Sequence, residues 1–145
     1  MIGLLQRVTE AAVHVDEREV ASIGAGLVVL VGVRRDDDER DAARLAERLL
    51  GYRVFPDAEG RMNRSLADTG GALLLVPQFT LAANTRKGTR ASFTGAAPPA
   101  ESRRLFDELA ARARAIHGAV ATGEFGADMR VSLINWGPVT FWLET

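Results

Sequence analysis

The chain has no cysteine and a single lysine, Lys87. Without cysteine there is no disulfide, no thiolate zinc site and no cysteine nucleophile, a pattern compatible with a reducing compartment. Long hydrophobic runs are missing too. The longest, near Leu27 to Val33, is far short of the ~20 residues of a membrane helix. Arg7 also arrives too early for the apolar region of a signal peptide. A soluble, cytoplasmic protein with no membrane partner is the expectation. Charge of one sign is not in excess: 18 Lys+Arg against 19 Asp+Glu leave a net charge of −1. A nucleic-acid partner would therefore have to be met by a local patch rather than by the whole molecule. The familiar side-chain machines are absent as well: no G-x-S-x-G elbow, no P-loop and no H-E-x-x-H. Of the two histidines, His14 falls in a predicted strand and His117 at a helix end, where it reads as a cation facing the dipole.

The residues that are present suit one domain over 1–145, with 47% hydrophobic residues and enough length to bury a core. Met1 to about Glu10 reads as a strand, and Ala12 to Ser22 as a second one broken at Asp16-Glu17-Arg18. Leu27 to Val33 is a continuous apolar strand. Asp36-Asp37-Asp38 then supplies a helix cap, and Ala42, Leu45, Ala46, Leu49 and Leu50 share one helical face ending near Gly51. Tyr52 to Phe55 reads as a short strand, Asp57 to Gly60 as a turn and Asn63 to Gly71 as a polar connection. Pro98-Pro99 starts a second helix with Leu105, Leu109 and Ile116 inward and Arg103, Arg104, Arg112 and Arg114 mostly outward. Asp128 to Asn135 and Val139 to Glu144 alternate as strands on either side of Trp136-Gly137-Pro138. Strands interleaved with two main helices predict an α/β domain on a mixed sheet.

The stretch from Leu73 to Arg90 is the most suggestive. Leu73 to Val76 is a buried strand, and Pro77 has no N–H for a neighbour, so the ladder should fail there on at least one side. The main chain of Gln78, Phe79 and Thr80 would then be free. Arg86, Lys87 and Arg90 follow with no carboxylate among them. Freed N–H donors beside a basic loop could hold an anionic ligand next to an ester or phosphate; a plain turn and solvated loop would read the same way. Thr80 and Thr140 are the hydroxyls beside unusual backbone, and either is a possible nucleophile. Gly137-Pro138 permits a cis peptide or a simple turn.

Two motifs read together resemble the D-aminoacyl-tRNA deacylases. Pro77-Gln78-Phe79-Thr80-Leu81 is similar to that family's Ser-Gln-Phe-Thr-Leu, and Asn135-Trp136-Gly137-Pro138-Val139-Thr140 to its Asn-x-Gly-Pro-Val-Thr. Gln6-Arg7-Val8, Gly51-Tyr52-Arg53, Met62-Asn63 and Ala127-Asp128-Met129 extend the likeness along the whole chain. The resemblance implies a barrel-like mixed sheet and a homodimer that hydrolyses D-aminoacyl-tRNA, and mischarged glycyl-tRNA, without metal or cofactor. It also implies catalytic main-chain donors at Gln78, Phe79 and Thr80 around the scissile carbonyl, with the terminal adenosine's 2′-OH helping to activate water. A cis Gly137-Pro138 lent by the partner would exclude L side chains, with Arg7 and Thr140 in support. From their charge, Arg86, Lys87 and Arg90 are expected to meet acceptor-stem phosphates. Pro77 stands where the family has serine, Trp136 where many relatives have aspartate and Ala91 where relatives often have proline. A non-catalytic RNA-end binder and a small-ester hydrolase using Thr80 or Thr140 are the alternatives.

Overall fold

The computed structural model describes residues 1–145. Two strands open the chain as a hairpin, β1 (Ile2–Val15) and β2 (Arg18–Ile23), and β3 (Gly26–Gly32) returns antiparallel to β1. Helix α1 (Glu39–Gly51) leads to a small separate hairpin, β4 (Phe55–Pro56) and β5 (Met62–Arg64), and a one-turn helix α2 (Leu66–Thr69). Strand β6 (Ala72–Pro77) lies parallel to β3 and ends in a 3-10 turn, Phe79–Ala82. Helix α3 (Pro99–His117), β7 (Val120–Thr122) and β8 (Met129–Glu144) complete the chain. The main sheet runs β2-β1-β3-β6-β7, with β8 on the other edge of β1. It curls so far that β2 packs against β6 and β7, giving a nearly closed mixed sheet.

That curl creates two cores. Leu5, Leu27, Val29, Val31, Leu73 and Leu75 face α1 and α3, where Leu45, Leu49, Leu105 and Leu109 cover them. The alternate residues Val8, Val13, Val28, Leu74 and Val76 fill the inside of the curl. Residues on both faces of β3 and β6 are thus removed from water, and period-2 alternation vanishes into unbroken apolar runs. The closest approach is at Gly26, where any Cβ would lie 1.9 Å from the Ala72 carbonyl oxygen, so only glycine admits β6.

Asp38 caps α1 by accepting from the N–H groups of Arg40 and Asp41, and Asp41 answers by accepting from the N–H of Asp38. Hydrogen bonds from Arg40 hold the Asp38 carboxyl below the usual carboxylate range. The buried face of α1 is the expected set.

Five local expectations change. Tyr52 to Val54 are not part of a strand; only Phe55–Pro56 pairs, with β5. β1 does not stop near Glu10 but continues to Val15, because β8 pairs along almost its whole length and carries it across irregular register near Arg7 and between Val8 and Ala11. The polar connection from Asn63 contains β5 and α2, the latter closed by a reciprocal Ser65–Asp68 cap too short to show helical periodicity. Ile116 has the right helical angle yet is 64% exposed, since α3 runs past the cover of the sheet; Phe106, Ala110 and Ala113 do the burying. Finally, Trp136-Gly137-Pro138 does not divide two strands: β8 passes through it as a bulge. No helix is long and apolar enough to cross a membrane.

Candidate functional site

Two of the expected groups of residues lie at separate places, and each follows from the way a strand loses its partner. On β6, pairing with β7 ends at Leu75, while pairing with β3 continues to Pro77. Proline has no N–H to carry a ladder further, so β6 and β7 part company. Into the gap fit Phe125–Met129, which follow β7, and Pro99 and Ser102 from the first turn of α3. The resulting pocket has a volume of about 460 Å³ and is walled by Val76, Pro77, Gln78, Phe79, Phe125 and Met129 among others. It sits outside the carboxyl ends of parallel strands, the usual location of ligand crevices in such sheets. Asp128 is the one ionisable side chain that lines it.

The main chain at its rim differs from expectation in one respect. The Gln78 N–H is not free: it donates to the Val31 carbonyl at 2.7 Å, because the parallel ladder survives one residue beyond Pro77 on the β3 side. The free donors are therefore two rather than three, since the Leu81 N–H in turn donates to the Gln78 carbonyl. Phe79 and Thr80 open the 3-10 turn, and first-turn N–H groups have no carbonyl of their own turn to reach. Gln78 acts instead through its side chain, whose Nε2 donates to Thr80 Oγ1 at 2.5 Å.

The second group lies between β1 and β8. Gln6 pairs with Thr140 and Val8 with Asn135, so Arg7 alone stands opposite four residues, Trp136 to Val139. The surplus must leave the sheet, and it does so as an exposed projection carrying Gly137 and Pro138. Their peptide is cis, and Gly137 has φ +128°. A Cβ on Gly137 would lie 2.8 Å from both Arg7 Nη2 and Val139 Cγ2. Asn135 staples the base: its Nδ2 donates to Thr140 Oγ1 at 2.8 Å and its Oδ1 accepts from the Val139 N–H at 2.9 Å.

Arg7 fills the space beneath. It is 7% exposed, donates from Nε to the Trp136 carbonyl at 3.0 Å and from Nη1 to the Val54 carbonyl at 2.5 Å, and sets its guanidinium 4.2 Å from the Trp136 ring centroid. Burial pulls its pKa below the usual arginine value. No carboxylate faces it, so carbonyl oxygens and the indole face carry the compensation; the cation–π contact alone stabilises by about 0.5–2 kcal/mol. Trp136 thus offers Arg7 a π-face where no carboxylate is at hand.

Arg86, Lys87 and Arg90 are exposed on the loop after the 3-10 turn, without carboxylate partners. Neither Gly137 nor Pro138 lines the 460 Å³ pocket of its own chain. Sequence reasoning gave no role to Phe125 and Met129 in the pocket wall or to Asn135 as the staple. Ala127-Asp128-Met129 and Asn135 did carry resemblance, and that was the only available signal.

The family model described as D-Tyr-tRNA(Tyr) deacylase matches residues 4–144. A D-aminoacyl-tRNA deacylase of Thioalkalivibrio sulfidiphilus is 66% identical, covering 99% of this chain and 97% of its own. One of Alkalilimnicola ehrlichii is 63% identical, covering 99% and 96%. Among solved structures, the c-Myc DNA Unwinding Element Binding Protein superposes with a TM-score of 0.95 at 32% identity, covering 100% of this chain and 99% of its own. A probable eukaryotic D-amino acid tRNA deacylase has the same fold, with a TM-score of 0.87 at 18% identity over 99% and 98%. Matched by the family model over residues 4–144 and by full-length relatives at 63–66% identity, this chain belongs to the D-Tyr-tRNA(Tyr) deacylase family.

Proposed function

We propose that this protein hydrolyses the ester joining a D-amino acid, or a glycine charged on the wrong tRNA, to the terminal adenosine of tRNA. The observation that carries the reading is a pocket edged by first-turn N–H groups in a chain belonging to this family. Water attacks the ester carbonyl carbon, and the N–H groups of Phe79 and Thr80 donate to the oxyanion that forms. The bond to the ribose oxygen then breaks, and that oxygen takes a proton. Fixed main-chain dipoles need no reorganisation as charge develops, and one such donor is worth roughly 3–4 kcal/mol. Gln78 positions Thr80. The apolar and aromatic walls at Phe79, Phe125 and Met129 suit a purine base.

The working unit in this reading is a homodimer, with residues 1–145 as one deacylase domain in the cytoplasm. Strand β8 pairs on only one edge, and Ile134, Trp136 and Trp142 are exposed along it, an arrangement that invites a second copy. Gly137 and Pro138 of each copy enter the other's pocket, held by Arg7, Asn135 and Thr140. Their carbonyl oxygens occupy the space an L side chain needs, so selection is by exclusion. Glycine, with no side chain to exclude, passes.

Incubating the protein with D-Tyr-tRNA and L-Tyr-tRNA decides the matter: release of D-tyrosine alone is expected, and an intact D-Tyr-tRNA would refute the reading. Arg86, Lys87 and Arg90 contact acceptor-stem phosphates. Changing all three to alanine should weaken tRNA binding and flatten the dependence of log affinity on log salt by about 2–3 units. Arg112→Ala, on an arginine already paired with Glu108, should leave that slope unchanged. A second reading, a nucleic-acid binder without turnover, is favoured by Pro77 in place of serine; tight tRNA binding with no ester cleavage would establish it.

A further inference from the structure

Two phenylalanines stand in water beside the pocket. Phe79 is 57% and Phe93 42% exposed, and their rings pack on each other with centroids 5.0 Å apart at a tilt of 46°. Phe79 also lines the pocket, whereas Phe93 lies outside it. The position of Phe93 is fixed from below: Asn84 and Ser92 exchange both main-chain hydrogen bonds, at 2.7 and 3.1 Å, and clamp the root of the loop one residue earlier. From that loop rise Arg86, Lys87 and Arg90, and no acidic residue occurs between Leu81 and Ala100. We infer that Phe79 and Phe93 form a stacking platform for the unpaired nucleotide that precedes the terminal adenosine, outside the pocket.

The inference rests on the RNA-ester reading above and extends it by one nucleotide. An exposed aromatic pair next to uncompensated cations is what a single-stranded nucleic acid recognises, because every base offers a π-face and every nucleotide a phosphate. An apolar protein anchor would meet the rings but would leave three cations unanswered. Phe93, outside the pocket that takes the ester, acts as a binding residue for the RNA strand.

Two substrates separate this role from a structural one: D-aminoacyl-tRNA, and D-aminoacyl-adenosine, which lacks the preceding nucleotide. Phe93→Ala should raise KM for the tRNA ester roughly 5- to 150-fold, leave kcat little changed, and leave both constants for the adenosine ester near wild type. Phe93→Trp should restore the lost affinity. Equal losses on the two substrates would mean that the ring merely props the 3-10 turn, and constants unchanged from wild type on both would mean that nothing stacks there; either overturns the platform. Binding of a labelled single-stranded RNA ending in CCA is measured in parallel, with weaker binding by Phe93→Ala expected and unchanged binding refuting. If wild type hydrolyses neither ester, the hydrolytic reading fails while that binding comparison still decides the platform.

Discussion

Replacing Phe79 with proline is expected to slow ester cleavage about 10²–10³-fold beyond the loss caused by Phe79→Ala. Both changes remove the ring, but only proline removes the N–H. The substitution suits the site sterically: position 79 opens the 3-10 turn, where proline's fixed φ is tolerated. Gln78 before it, at φ −144° and ψ 80°, already lies outside the α region that a following proline disfavours. Single-turnover rates on D-Tyr-tRNA, with thermal melts to verify folding, measure the difference between the two variants. Equal rates would remove the Phe79 N–H from the mechanism. Thr80→Ala is the companion measurement. Its hydroxyl accepts a hydrogen bond from Gln78, and its main-chain N–H survives the change. Most activity should persist, whereas near-complete loss would make Thr80 a nucleophile and turn the protein into a different kind of esterase.

Gly137→Val should cost roughly 100-fold or more in cleavage of the D-substrate, and whatever activity survives should reject L-substrates poorly. At φ +128° a β-branched residue is strained, and its Cβ would collide with Arg7 Nη2 and Val139 Cγ2. The collision has no soft outlet. Arg7 is fixed to the Trp136 and Val54 carbonyls, and Asn135 fixes Val139, so the projection itself must move. Comparing kcat/KM for D- and L-Tyr-tRNA reads both effects at once. Mixing this variant with Phe79→Pro tests where Gly137 acts. If each pocket combines its own Phe79 with the partner's Gly137, a randomly mixed dimer regains one intact site, and about a quarter of wild-type activity returns. If Gly137 served the pocket of its own chain, mixing would restore nothing.

The parts of the fold that could be read along the chain are those whose causes are local. Leu27 to Val33 and Leu73 to Val76 announce buried strands because both faces are apolar, and Asp38 announces α1 because a cap lies within four residues of what it caps. Pro77 announces the end of a ladder because the missing N–H is covalent. Strand β7 was missed, since Val120–Thr122 is too short for a period and is held only by its pairing with β6. Ile116 was misassigned for a related reason: helical angle is local, but the edge of the sheet beneath it is not.

The candidate site divides the same way. Arg7, Gln78, Phe79, Thr80, Gly137, Pro138 and Thr140 could be named in advance, because motifs sit in consecutive residues. Which amides remain free could not. The Gln78 N–H is occupied by Val31, 47 positions earlier in the chain, and that bond exists only once β3 and β6 lie side by side. Sequence by itself determined the main helices and the long buried strands, the family and the residues of interest. Tertiary structure alone decided that four residues must bulge opposite Arg7, that Asn135 pins them, and that a pocket opens where β6 and β7 separate. The reason is physical: propensity and capping act over a few bonds, whereas register and cavities are fixed by contacts between segments that the chain brings together only by folding.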